Sequence, residues 1–339
     1  MIIIALAIFA QVHIKGYVET RPYVYWSDST NLSGYSRGWL ELTSRAETYG
    51  TQLGLDIIVP YDTTDIAYAL ESRTVSRLAL WIGPEHLRCI IGKQRLYWGV
   101  GRVFRPLDVF NRTDYFDPEY ERPGSTAAVA YWAMDAVSSM RAVFIPYCDL
   151  EQVQSGVRLG SSVFKHDIGM TVMHRSDPHH TLVGAELTGE LHVGYWGEYR
   201  YSWQDEDDHS QFILGLDYTF PPGLYLMAEV FFDGSGVADP DQYDLNMIAT
   251  GQRATLAQRY LYISAGIFPN PFAVIQPQLS GLVNLDDEGF IVIPQVMVSL
   301  FENTEITIGS NLVYGGSSTE FKNIVPFDGA VYIWIKVYF

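Results

Sequence analysis

Residues 210–233 read SQFILGLDYTFPPGLYLMAEVFFD, two alternating runs joined by a proline–glycine turn. In the first run Phe212, Leu214, Leu216 and Tyr218 take every second position, and in the second Leu224, Leu226, Ala228, Val230 and Phe232 do the same. Successive strand side chains point to opposite faces, so each run presents one apolar face. The opposite faces carry Asp217 and Glu229, and Phe220-Pro221-Pro222-Gly223 makes the tight turn. A wall between lipid and water needs this pattern, because the lipid side must be apolar and the enclosed side polar.

Carrying the same period outward predicts about eighteen strands, over 12–26, 36–47, 51–60, 75–83, 86–99, 124–133, 137–146, 154–165, 166–176, 180–190, 192–203, 210–220, 222–233, 257–268, 271–284, 288–301, 303–315 and 327–339. Most are near the length of roughly 9 to 11 residues that a tilted membrane strand requires. Connections after even-numbered strands are short, as at Thr48-Tyr49-Gly50, Gly83-Pro84-Glu85 and Glu302-Asn303-Thr304, whereas those after odd-numbered strands are generally longer and more acidic. That parity is expected of an all-β, transmembrane antiparallel β-barrel with tight turns at one rim and long loops at the other. Sixteen strands, losing a pair between Ser155 and Glu190, is the alternative count. Pro277 and Pro294 fall inside predicted strands and should sit at a bulge or near a rim, since each removes a ladder donor.

Composition agrees with a barrel. The 339 residues include 23 Tyr, 17 Phe, 8 Trp and 29 Gly with only 18% charged residues, a balance of strand and turn formers over helix formers. No run is long and apolar enough for a membrane helix. A net charge of −17 argues against nucleic acid as a partner. Residues 1–10, MIIIALAIFA, resemble the apolar part of a secretory signal with cleavage after Ala10, leaving 11–339 as one barrel; a buried first strand is the alternative.

In the last run, AVYIWIKVYF, Val331, Ile333, Ile335, Val337 and Phe339 share one face. This resembles the terminal strand of bacterial outer-membrane barrels. The stretch Ile91-Gly92-Lys93-Gln94-Arg95 with Trp98-Gly99, and the hairpin at 215–229, are similar to segments of porin-like outer-membrane proteins. The resemblance implies a bacterial outer-membrane location, outer-membrane lipid around the wall, and recognition of the strand ending Phe339 by the barrel-assembly machinery. Permeation as the mechanism would call for no cofactor.

If charged phases point inward, the pore-lining residues are Lys15, Glu19, Arg21, Glu41, Arg45, Asp56, Arg77, Lys93, Arg95, Tyr97, Arg141, Arg158, Glu186, Glu190, Glu198, Arg200, Asp217 and Glu229. The second to eighth strands then supply mostly Arg and Lys, and the tenth to thirteenth mostly Glu and Asp. Two such arcs facing each other would set a transverse field across the lumen. The alternative is that the charges pair with their neighbours and tile the wall.

After the fifth strand, the loop at 100–123 holds Arg102, Arg105, Asp108, Arg112, Asp114 and Asp117 among several aromatics. A loop of that length is usually functional or disordered, and its aromatics favour packing. It is expected to fold back inside as the constriction; an external cap is the alternative.

The remaining constellations are weaker. His174, Asp177, His179 and His180 suit a metal by type but not by spacing. The acidic runs at 205–208 and 286–288 read as solvated loops. Cys89 and Cys148 fall at opposite ends of different strands and are expected as free thiols. No Ser, His or acidic pattern selects a catalytic site, so an enzyme is not expected. The sequence points to passive diffusion of small hydrophilic solutes through a charged lumen, or alternatively to a plugged structural or partner-binding barrel.

Overall fold

The computed structural model describes residues 11–61, 75–110, 124–146, 153–176, 179–204, 208–250, 252–268, 274–325 and 327–339. Eighteen strands run in chain order: β1 Gln11–Trp26, β2 Thr30–Arg45, β3 Tyr49–Pro60, β4 Val75–Ile82, β5 Leu87–Gln94, β6 Ser125–Ala133, β7 Ser138–Ile145, β8 Gln154–Val163, β9 His166–Arg175, β10 His180–Glu190, β11 Gly194–Gln204, β12 His209–Phe220, β13 Leu224–Asp233, β14 Arg259–Ile267, β15 Ile275–Asn284, β16 Phe290–Phe301, β17 Thr304–Tyr314 and β18 Gly329–Tyr338. Each pairs antiparallel with its neighbours in sequence, and β1 pairs with β18, so the sheet closes without an edge. Phe339 joins the closure through reciprocal backbone bonds of 2.9 Å with Gly16.

The alternation that predicted the strands also orients them. On β12 and β13, Leu214 and Leu216 stand outside, 61% and 57% exposed, while Ile213 and Glu229 inside are wholly buried. Exposed apolar residues ring the outside from Val12 and Val18 on β1 to Ile333 and Val337 on β18. So continuous an apolar belt has no place in water; it makes the barrel a membrane-spanning one.

Short connections at 46–48, 83–86, 134–137, 164–165, 191–193, 221–223 and 302–303 gather at one rim, here the periplasmic side. At 164–165 the turn is built from Phe164 and Lys165, both left-handed at φ 50° and 69°, the mirror-image turn that suits strand twist. The opposite rim bears the long connections, with α1 (Leu245–Ala249) and α2 (Glu320–Ile324) inside two of them, and short links between β1 and β2, β9 and β10, β11 and β12, and β15 and β16.

Two local differences from the sequence reading, at β5 and Pro294, have physical causes, while Pro277 lies where it was expected. Strand β5 ends at Gln94 instead of running to 99, because the chain turns off the wall there. Pro277 lies near the periplasmic end of β15, just beyond its last pairing with β14. Pro294 sits in mid-strand: β16 keeps its pairing with β15, but the ladder to β17 lapses between Val292 and Gln295, where proline lacks its donor.

Candidate functional site

Beyond Gln94 the chain enters the barrel, and residues 95–110 pack between two stretches of its inner wall. Leu96, Trp98 and Leu107 join Ala127, Val129, Val143, Ile145, Met173 and Leu182, inward residues of β6, β7, β9 and β10. Small wall residues make the seats: a Cβ on Gly156 would touch the Trp98 ring, and one on Gly184 would collide with Leu107. On the other side Phe104, wholly buried, stacks on Phe231 at 4.7 Å and lies within a cluster that includes Ile213, Tyr260, Leu282 and Ile291. Phe321 and Val325, from the loop carrying α2, close over that cluster from the external side.

Two wall carboxylates take the segment's main chain. Glu198 accepts from the amides of Val100 (2.5 Å), Gly101 (2.6 Å) and Leu107 (3.1 Å). Glu229 accepts from Arg102 (2.9 Å), Val103 (3.0 Å) and Phe104 (2.7 Å), and from Trp196 Nε1 (2.5 Å). Gly99 permits this approach: its φ is +98°, and a Cβ there would lie 2.5 Å from Glu198 Oε1. Arg200 completes the hold by donating to the Pro106 carbonyl at 3.0 Å.

Within the segment, Arg105 donates back to the carbonyls of Gly101 (2.8 Å) and Arg102 (3.2 Å), and Asp108 is buried. Arg102 differs from both. Its side chain is 57% exposed, lies 5.0 Å over the Trp196 ring and reaches within 4.0 Å of Asp217. It borders a polar cavity of about 520 Å³ beneath the segment, whose lining includes Lys165, Asp167, Glu190, Asp217 and Tyr225. Arg112, Asp114, Asp117, Cys148 and Asp177 lie outside the described residues.

The inward charges of β1 to β4 form a lateral network. Lys15 meets Glu41 at 2.9 Å, and Arg77 meets the same carboxylate. Arg37 grips Asp56 through two bonds of 2.8 and 2.6 Å and approaches Glu19 at 3.7 Å, while Arg21 bonds Glu19 at 3.0 Å. Arg37 stands in the same phase as Glu41 yet is absent from the sequence-based set; the partner of Asp56 is Arg37, and Arg45 sits exposed at the periplasmic end of β2. Farther round, Arg158 reaches Glu186, and Arg141 stacks 5.6 Å from Tyr131. The basic and acidic arcs therefore exist by position, but the charges of β1 to β4, and Arg158 with Glu186, meet partners on the same or a nearby strand instead of facing an opposite sign across the lumen.

The orientation expected for β5 is corrected. Register places Gly92 opposite inward Ala79 and Ala127, so Lys93, opposite Leu78 and Thr126, falls in the outward phase. Arg95 and Tyr97 stand on the segment beyond the strand, exposed, alternating with buried Leu96 and Trp98. Both phases of this stretch carry charge, Arg88 in one and Lys93 in the other, and the apolar packing of the segment decides between them. Among the described residues no group of His, Cys, Asp or Glu is placed to hold a metal ion. His174 instead bonds Thr181 at 2.9 Å, and His180 contacts Arg200 at 3.2 Å.

No protein-family model matches the chain, and no curated protein matches its sequence. Its fold, however, is that of bacterial outer-membrane porins. The Pseudomonas aeruginosa protein OccK9 (OpdG) is similar at a TM-score of 0.67, with 8% identity over 97% of this chain and 98% of that one. OccK2 (OpdF) of the same species, solved in complex with glucuronate, gives 0.66 with 7% identity over 97% and 96%. OprD, also from P. aeruginosa, gives 0.64 with 6% identity over 96% and 94%.

Proposed function

We propose that the protein is a channel of the bacterial outer membrane, passing small hydrophilic solutes down their gradients, with residues 95–110 narrowing the passage. The observation that carries this reading is a segment held inside a closed barrel above a polar cavity of about 520 Å³. Charge there is mixed, with Arg102 and Lys165 facing Asp167, Glu190 and Asp217, which suits charged or dipolar solutes over apolar ones. The glucuronate bound to the similar barrel OccK2 supports a solute class of that size and polarity. Transport by diffusion needs no cofactor and no catalytic group. In the same reading outer-membrane lipid surrounds the belt, and the barrel-assembly machinery takes up β18 ending at Phe339.

The second reading is a plugged barrel that binds a partner at its external loops. Two apolar clusters packed around the segment, and the deep burial of Glu19, Arg37 and Glu41, favour it. Ion conductance of the refolded, heat-modifiable protein in a planar bilayer decides. Discrete conductance steps support the channel, and a folded barrel that never conducts supports the plug.

A further inference from the structure

The two strand prolines have a place in common. Pro277 on β15 and Pro294 on β16 both face outward, and both border a recess of about 700 Å³ in the lipid-facing wall between β13 and β18. Its lining follows the sheet register. Ala265 of β14 stands opposite Leu279 of β15, Leu279 opposite Pro294, and Ser310 of β17 opposite Val331 of β18, so the recess runs square to the strands. The short residues of that row lie between longer outward ones: Ala265 between Ile263 and Ile267, Pro294 between Val292 and Val296, Ser310 between Ile308 and Leu312. A trench between two ridges results. Each proline lacks a ladder donor inside lipid, and at Pro294 the pairing with β17 lapses beside Ser310. Gln278 and Gln295, which also border the recess, turn inward and bond each other at 3.0 Å. An apolar recess of this kind gives water few partners, and left unfilled its lining forfeits dispersion contacts.

The recess is continuous with the lipid-facing belt, and its course fits one kind of occupant. From β14 to β18 it crosses four gaps of about 4.8 Å each, a floor of about 19 Å. Strands in such barrels tilt by about 35–45°, so a row square to them rises about 12 Å, most of the roughly 15 Å that one leaflet of the hydrocarbon core occupies. The low end is periplasmic: Ala265 stands two residues from the periplasmic end of β14, whereas Val331 stands seven from that of β18. There Leu224 pairs with Phe220, whose ring meets Tyr218 at 4.5 Å, an aromatic pair at the level of the lipid headgroups. We propose that the recess seats one acyl chain of a phospholipid of the periplasmic leaflet, entering beside Leu224 and Ile267 and ending against Ser310 and Val331. A second copy of the barrel presents a convex wall, which spans such a trench without filling it; a flexible hydrocarbon chain fills it. The seat depends on the membrane barrel alone and not on whether the lumen conducts.

Photolabelling from within the bilayer tests this. The protein is refolded into vesicles of phosphatidylethanolamine and phosphatidylglycerol doped with a phosphatidylethanolamine that carries a diazirine either at its chain end or next to its ester, and the labelled peptides are mapped by mass spectrometry. The chain-end probe is expected to label β17 and β18 severalfold more than the outward wall of β6 to β9, and the ester-side probe to favour 218–226 and 259–267. Ser310→Phe, which fills the recess from an outward position, should remove the chain-end excess with heat-modifiable mobility unchanged. Ala265→Phe does the same from the other end should the first variant fail to fold, and if neither folds, the order of the two probes on the unaltered chain decides. Even labelling round the belt, or an excess that survives the filled recess, overturns the seat. The reverse order of the two probes also overturns it, placing the chain in the external leaflet, and so does a dimer cross-linked through β16 to β18 in the same vesicles, which makes a second copy the occupant.

Discussion

The walls β1–β4 and β11–β13 are made of the same kinds of inward residue and use them differently. On β1–β4, Lys15, Arg21, Arg37 and Arg77 are matched sideways to Glu19, Glu41 and Asp56, so these charges are paired within the wall. On β11–β13, Glu198 and Glu229 have no such cation among the described residues and are matched inward, by the backbone of a segment that left the wall at Gln94. A charged residue facing the lumen thus has two fates. The difference shows that the interior is organised by where the segment packs as much as by the charges themselves.

The sharpest way to break this comparison is Phe104→Ala. Removing a fully buried aromatic ring should lower barrel stability by about 3–5 kcal/mol, measured as a shift in the urea midpoint for refolding into vesicles. An effect below about 1 kcal/mol would mean that the ring's packing is not what holds the segment.

On the self-matched wall, Arg37→Ala leaves Asp56 buried without its bidentate partner and should cost up to about 3 kcal/mol in the same assay. The double change Arg37→Met with Asp56→Leu should recover most of that loss, because a buried ion pair and a well-packed apolar pair are of similar worth. Failure to recover would show that the network extends beyond this pair.

A third prediction concerns the loop that covers the Phe104 cluster. Glu320 on α2 is buried, accepts from Leu256 N, Tyr260 Oη and Asn284 Nδ2, and burial pushes its carboxyl up to about 7. A carboxyl raised in the folded state disfavours the ionised folded form. The seated loop is therefore most stable, relative to the released one, below the unfolded value of 4.5, and loses that advantage as pH rises to about 7. Proteolysis of the 315–328 connection should quicken over that window, and Glu320→Gln should flatten the dependence; identical pH profiles in the two chains would contradict it.

The smallest expected effect is that of Arg102→Ala. The side chain is half in solvent, so stability should change by less than about 0.5 kcal/mol. Its charge stands at the cavity beside Asp217, and ion selectivity should move toward cations, read as a shift in reversal potential. An unmoved reversal potential would place Arg102 off the conducting path.

Much of this was legible in the sequence. Period-two alternation and the parity of the connections placed all eighteen strands, because a lipid-facing wall punishes any lapse in either. That residues 95–110 pack inside was legible from their aromatics, Trp98 and Phe104. The inward phase of β5 was not: the rule that charge points inward assumes an aqueous interior, and here Ile90, Leu96 and Trp98 face an apolar one. Nor did Glu198 and Glu229 announce themselves as anchors, since their partners are backbone amides that carry no residue signature. Gly156 and Gly184, inward positions without side chains, were the nearest available signal of something packing on the wall.

The central claim is that the segment inside the barrel, and not the barrel wall, sets the width of the passage. Single-channel conductance of the refolded protein should be compared with that of a chain in which residues 100–123 are replaced by a short Gly-Ser link. A larger unitary conductance in the shortened chain is the expected result. Equal conductance in two well-folded barrels would contradict the account.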